Sequence, residues 1–180
     1  MPEGAPPRGD EGAAPGGDEA LAWVALGGNV GDSHAALRRA LDELRGLGEV
    51  VARSSLYRTA PVGGPPGQPD YLNAVVALRT ALSTHALLRA LLDIEERLGR
   101  VRRERWGPRV IDLDLLAHGD ANVDDPVATV PHPRLHHRAF VLVPLREVDP
   151  RWRHPVTGET AEEMLARLDA SGVERTDLPW

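Results

Sequence analysis

Two aspartates, Asp112 and Asp114, alternate with Ile111, Leu113 and Leu115 in the run Val-Ile-Asp-Leu-Asp-Leu-Leu. A β-strand has a side-chain period of two, so this spacing puts both carboxylates on one face and the aliphatics on the other. Adjacent carboxylates repel. They are tolerated when solvated, when one is protonated, or when a divalent cation sits between them. Hard oxygen ligands suit magnesium, which takes one or two carboxylates and completes its shell with water and substrate phosphates. A wet acidic face on an edge strand is the plainer alternative.

The preceding segment favours the metal. Arg100, Arg102, Arg103, Arg105 and Arg109 lie just before the strand, with Glu104 as the lone acid among them. Guanidinium forks grip phosphate in a bidentate manner, so cations beside a carboxylate pair form a candidate polyphosphate site. All 21 basic residues of the chain are arginine. P-loop ATPases and protein kinases both require a phosphate-binding lysine, so neither class is open to this chain. Phosphate is left to arginine, metal or backbone amides.

Other side chains suit a flat heterocyclic partner. Trp106 lies in Glu-Arg-Trp-Gly-Pro-Arg, with little core to join; it anchors the loop or closes over a planar ligand. Tyr71 and Asn73 share a strand face, and the Asn73 amide offers donors and an acceptor to a ring edge, or else caps a turn. His132 stands between Pro131 and Pro133, able to donate to phosphate, and is followed by Arg134, His136, His137, Arg138 and Phe140. A zinc site is a poor reading of these histidines, which lack cysteine partners and a His-x3-His helix.

The elements that must position these groups follow from the pattern. A strand runs over Leu21–Gly27 and a helix starts at Asp32 or Ser33, with Leu37, Leu41 and Leu44 on its apolar face. A second strand spans Glu49–Tyr57. The loop Arg58–Asp70 is rich in proline and glycine, and long loops in compact domains are usually functional. A third strand spans Tyr71–Thr80. Ser83 caps a second helix reaching Gly99, and Val110–Ala117 is the fourth strand. Short helices are expected near Phe140–Glu147 and Thr160–Leu168. The order β-α-β-β-α-β predicts an α+β fold: a ferredoxin-like antiparallel sheet with helices on one face, plus C-terminal helical additions.

Length and composition set the outer bounds. With 180 residues, we expect one domain over residues 21–180. Residues 1–20 are mostly Gly, Pro, Ala and acids and read as a disordered tail. The absence of cysteine removes disulfides and thiolate chemistry and suits a reducing compartment. No signal segment or membrane-length apolar run is visible, so a soluble cytoplasmic protein is expected. The net charge of -6 argues against broad nucleic-acid binding.

The stretch from Arg100 to Asp114 closely resembles the signature of the 6-hydroxymethyl-7,8-dihydropterin pyrophosphokinase family. Leu26-Gly-Gly-Asn29, Ser55-Leu-Tyr-Arg-Thr59, Gln68-Pro-Asp-Tyr-Leu-Asn73 and Val130-Pro-His132 match in the same order. The resemblance covers roughly residues 21–150. It implies transfer of pyrophosphate from ATP to the hydroxymethyl group of 6-hydroxymethyl-7,8-dihydropterin, an early step of folate synthesis, by a monomer binding neither nucleic acid nor membrane. It implies Asp112 and Asp114 as ligands of two magnesium ions. Arg100 and Arg109 join them as catalytic groups, and Glu95, Arg102, Trp106, Leu115, His132 and Arg138 fall at ATP-binding positions. Thr59, Val62, Tyr71, Asn73, Trp106 and Phe140 fall at pterin-binding positions. The chain departs from the family pattern at Ala60, Val127 and Pro133, and its arginine loop is one residue short.

Two rival classes account for fewer of these residues. Another two-metal enzyme on the same sheet, such as a nucleotidyl cyclase or polymerase-palm relative, explains Asp-x-Asp but not Trp-Gly-Pro-Arg or Tyr-Leu-Asn. An RNA-recognition module needs exposed sheet aromatics; one phenylalanine and two tyrosines supply few.

Overall fold

The computed structural model describes residues 18–61, 64, 66–99 and 110–180. The elements run β1 (Ala20–Gly28), α1 (Ser33–Arg45), β2 (Glu49–Arg53), β3 (Tyr57–Thr59), β4 (Tyr71–Thr80), α2 (Thr84–Arg97) and β5 (Asp112–His118). There follow a small hairpin of β6 (Val123–Asp124) and β7 (Thr129–Val130), a 3-10 turn at Leu135–His137, α3 (Ala139–Val148), α4 (Ala161–Leu165) and β8 (Glu174–Arg175). The main sheet is antiparallel, in the order β5-β1-β4-β3-β8, with β2 also paired to β4.

Local chemistry sets the helix starts. Asp32 accepts from the Ala35 N–H at 3.0 Å and Ser83 from the Ala86 N–H at 3.2 Å, each satisfying an orphan donor of the first turn. Leu37, Leu41 and Leu44 of α1 and Leu87, Leu91 and Ile94 of α2 recur at helical spacing. They bury against Val24, Leu26, Val76, Leu113 and Leu115 on one sheet face.

Three expectations are corrected. Helices cover both faces of the sheet, not one. Trp23, Ala25, Val75 and Ala77 alternate with the first core's residues and pack under Val141, Leu142 and Leu145 of α3 and Met164 of α4. The central strands β1 and β4 are apolar on both sides, so each face needs a cover. The single strand expected over Glu49–Tyr57 is two strands. At the break, Ser54 Oγ accepts from the Val75 N–H at 3.0 Å, and such side-chain bonding competes with a regular ladder. The last helix stops at Leu165, short of Leu168, and β6, β7 and β8 have too few residues to make a periodic signal.

Candidate active site

The sheet register brings the singled-out side chains into one row. Gly27 of β1 pairs with Asp112 of β5 on one side and with Asn73 of β4 on the other, and Asn73 pairs with Tyr57 of β3. Opposed residues in antiparallel strands point to the same face, and this face is the one beneath α3. Asp114 sits one step along, opposite Ala25. Both aspartates are half-buried, while Leu113 and Leu115 turn into the core on the other face.

Gly27 explains part of the Leu-Gly-Gly-Asn block. A Cβ there would stand 2.8 Å from Asn73 Oδ1, so only glycine leaves room for that amide. Asn73 is buried and donates through Nδ2 to Thr59 Oγ1 at 2.7 Å, which orients the amide. Asn29, 2% exposed, donates to Gln68 Oε1 at 3.2 Å and to the Pro69 carbonyl at 3.1 Å. The first strand's end thereby ties down the end of the loop that leads into Tyr71.

The outer edge of β5 is held from two directions. The Leu113 N–H, between the two aspartates, donates to the buried carboxylate of Glu95 at 2.6 Å. The His132 N–H donates to the Leu116 carbonyl at 2.8 Å. His132 Nδ1 accepts from the Arg134 N–H at 3.1 Å, so the neutral ring carries its proton on Nε2. Burial, then the charges of Arg138 and Arg134, push its pKa down to about 4.

The opposite wall is the start of α3. Arg138 Nη1 lies 3.6 Å from Asp114 Oδ2, and its guanidinium stands 5.7 Å from the Phe140 ring centroid. The far end of α3 is fastened by Glu147. Its carboxylate accepts from the Ser55 N–H at 3.0 Å, the Ser55 hydroxyl at 2.7 Å and the Tyr57 hydroxyl at 2.6 Å. Burial alone would raise this carboxyl's pKa, but those donors and Arg175 outweigh it and hold it below the usual value. The break between β2 and β3 frees the Ser55 N–H for this bond.

These walls enclose a cavity of about 940 Å³, a volume in the range of ligand sites. Of the residues singled out from the sequence, Asp112, Asp114, His132, Arg138, Thr59, Tyr71, Asn73 and Phe140 line it. Glu95 does not; it lies beneath β5 against the Leu113 amide. The Leu115 side chain belongs to the core on the opposite face. Arg100, Arg102, Trp106, Arg109 and Val62 lie outside the described residues. Sequence reasoning gave no binding role to Gly27, His137 or the turn that carries Asp169, Ser171, Gly172 and Val173, which also line the cavity. A hint was present for two of these: the doubled glycine at the end of β1 and the turn-forming run Asp-Ala-Ser-Gly.

Among the described residues no group of three or more His, Asp or Glu side chains is arranged to hold a metal by itself. Asp112 and Asp114 face the cavity as a pair of carboxylates, which fits a cation completed by substrate phosphates and water.

A family model described as 7,8-dihydro-6-hydroxymethylpterin-pyrophosphokinase matches residues 23–150. The chain is 49% identical over 158 residues to the 2-amino-4-hydroxy-6-hydroxymethyldihydropteridine pyrophosphokinase of Methylorubrum extorquens, covering 87% of this chain and 98% of that one. It is 44% identical to the protein of the same name from Pseudomonas aeruginosa, covering 85% of this chain and 94% of the relative. The fold resembles a Plasmodium falciparum HPPK-DHPS crystal structure with pteroate, at TM-score 0.69 and 16% identity over 86% of this chain. The chain spans 44% of that longer protein. With a family model across most of its described core and relatives near half identity along nearly its whole length, this chain belongs to the 7,8-dihydro-6-hydroxymethylpterin-pyrophosphokinase family.

Proposed function

We propose that the protein transfers pyrophosphate from ATP to the hydroxymethyl group of 6-hydroxymethyl-7,8-dihydropterin, releasing AMP, as a step of folate synthesis. One observation carries this reading beyond the family match: the carboxylate pair and the buried amide of Asn73 face one cavity across Gly27. Neighbouring strands are roughly 5 Å apart, so the row holds a metal-binding end and a heterocycle-binding end about 10 Å apart.

The residues divide the work. Asn73, oriented by Thr59, meets the hydrogen-bonding edge of the pterin, while Tyr71 and Phe140 flank its ring; family resemblance assigns Trp106 and Val62 to the same ligand. Asp112 and Asp114 would hold two magnesium ions. When bound, magnesium neutralises phosphate charge and lowers the pKa of the attacking hydroxyl. Arg138, already beside Asp114, and His132, through Nε2–H, donate to phosphate oxygens. Arg100, Arg102 and Arg109 stabilise charge on the transferring group. The hydroxyl oxygen bonds to the β-phosphorus, the bond from that phosphorus to the AMP oxygen breaks, and the hydroxyl proton passes to solvent. Such transfer rests chiefly on positioning and electrostatics. Glu95 acts on the nucleotide end through the amide that separates the two aspartates, and Leu115 contributes only from its backbone.

The strand order supports a ferredoxin-like sheet, with α3, α4 and β8 as additions to it. No helix among the described residues is long and apolar enough to cross a membrane. The lack of cysteine supports a place in the cytoplasm. The test is product analysis with ATP, magnesium and the reduced pterin. AMP and pterin diphosphate in equal amounts are expected; ADP, or no product, would exclude this reaction.

A further inference from the structure

Residues 169–173 lie beyond the span matched by the family model, yet Asp169, Ser171, Gly172 and Val173 line the cavity. The segment is pinned on both sides. Before it, Leu165 is buried in the second core, with Leu168 and Ala170 packed against that core. After it, β8 pairs with β3, Arg175 opposite Tyr57 and Glu174 opposite Arg58. Further on, Thr176 donates from N–H and hydroxyl to the Leu56 carbonyl at 2.9 and 2.8 Å, and the Trp180 indole donates to the Ser54 carbonyl at 2.8 Å. Within the turn, the Ser171 N–H donates to Asp169 Oδ1 at 2.9 Å and the Val173 N–H to the Ala170 carbonyl at 3.1 Å. This is a preformed wall.

Register decides which end of the cavity it serves. Continuing the β3–β8 pairing by one residue sets Val173 opposite Thr59, the residue that orients Asn73. The turn therefore stands beside the heterocycle end. Its chemistry agrees. Val173 and Gly172 offer an apolar surface to a ring, and the Asp169 carboxylate repels a polyphosphate, leaving this end to an uncharged ligand.

We propose that the turn Asp169–Val173 is a third wall of the pterin pocket and that Gly172 and Val173 limit the size of the ring it accepts. The proposal rests on the pterin pyrophosphokinase reading above. Gly172 gives a clean probe, because no atom lies within 4 Å of where its Cβ would stand. A larger side chain there meets no described atom near its Cβ, and Gly172 itself lines the cavity.

The experiment compares Gly172→Ala, Gly172→Leu and Gly172→Trp in the full chain. Three quantities are read: the pterin KM from AMP release, the Kd of a non-hydrolysable ATP analogue with magnesium, and the melting temperature. The pterin KM should climb with side-chain volume, by about 10-fold or more for G172W, with the analogue Kd within about 2-fold of wild type. G172A should give the smallest rise in the pterin KM of the three. A folded G172W with unchanged pterin KM would overturn the wall, as would equal losses for both ligands. If G172W does not fold, G172L is read by the same criterion. A wild-type protein that releases no AMP refutes the reaction itself, an outcome distinct from an active enzyme indifferent to residue 172.

Discussion

Asn73 Oδ1 lies 2.8 Å from the position that a Cβ on Gly27 would occupy. The distance is below van der Waals contact, and Asn73 is locked from the other side by Thr59. Gly27→Ala must therefore displace the amide. The pterin KM should rise by about 10- to 100-fold, the equivalent of one to two good hydrogen bonds to a buried heterocycle, while affinity for an ATP analogue barely changes. Steady-state kinetics with each substrate varied separately checks this, and an unaltered pterin KM would sink the assignment of Asn73.

Asp112→Ala and Asp114→Ala should each abolish turnover while leaving circular dichroism unchanged. Both carboxylates are half-buried on the cavity side, so neither is needed by the core. The loss should be on the order of several kcal/mol in transition-state terms. Asp114→Ala also removes the partner of Arg138 at 3.6 Å. Near-normal rates from either variant would rule out a metal site at this pair.

Arg100→Ala and Arg109→Ala probe the arginine segment before β5. If these groups meet the transferring phosphoryl oxygens, kcat should fall by about 100-fold or more, with a much smaller loss of ATP affinity, because uniform binding adds nothing to kcat. The paired measurement is analogue binding and single-turnover rate. Collapse of binding with an intact single-turnover rate would make them ground-state clamps.

Acid should destabilise the fold through His132. Its folded pKa of about 4 lies below the ordinary 6.5, so the unfolded chain gains a proton first as pH falls. Stability from this group is intact above pH 6.5 and is lost progressively down to pH 4, by up to about 3 kcal/mol. His118, whose pKa burial also lowers, adds to the same trend. Melting temperature against pH should be flatter between 6.5 and 4 for His132→Gln than for wild type. Parallel curves would show that His132 is not held neutral.

Glu147→Ala should cost about 3 kcal/mol of stability, because it strands the Ser55 N–H and the Tyr57 hydroxyl and unfastens α3. Glu147→Gln should lose less, since its carbonyl still accepts. Urea denaturation of both variants measures the difference; equal stabilities would mean that packing alone holds α3.

Short-range chemistry determined much by sequence alone. The period of two around Asp112 and Asp114 settled which face the carboxylates share, and the strand over Tyr71–Thr80 and both capped helices followed from periodicity and cap residues. These patterns are legible because each is set within a few residues of chain. Tertiary structure decided the rest. No local pattern says that Gly27 must be bare because Asn73, a strand away, fills its side-chain space. None says that Ser54 breaks a strand, since its partner is the Val75 amide 21 residues on. Nor does any say that Asp169–Val173 borders the cavity. Such assignments depend on pairing register and on which elements cover which face, and those are fixed only when residues far apart in sequence compete for the same buried space.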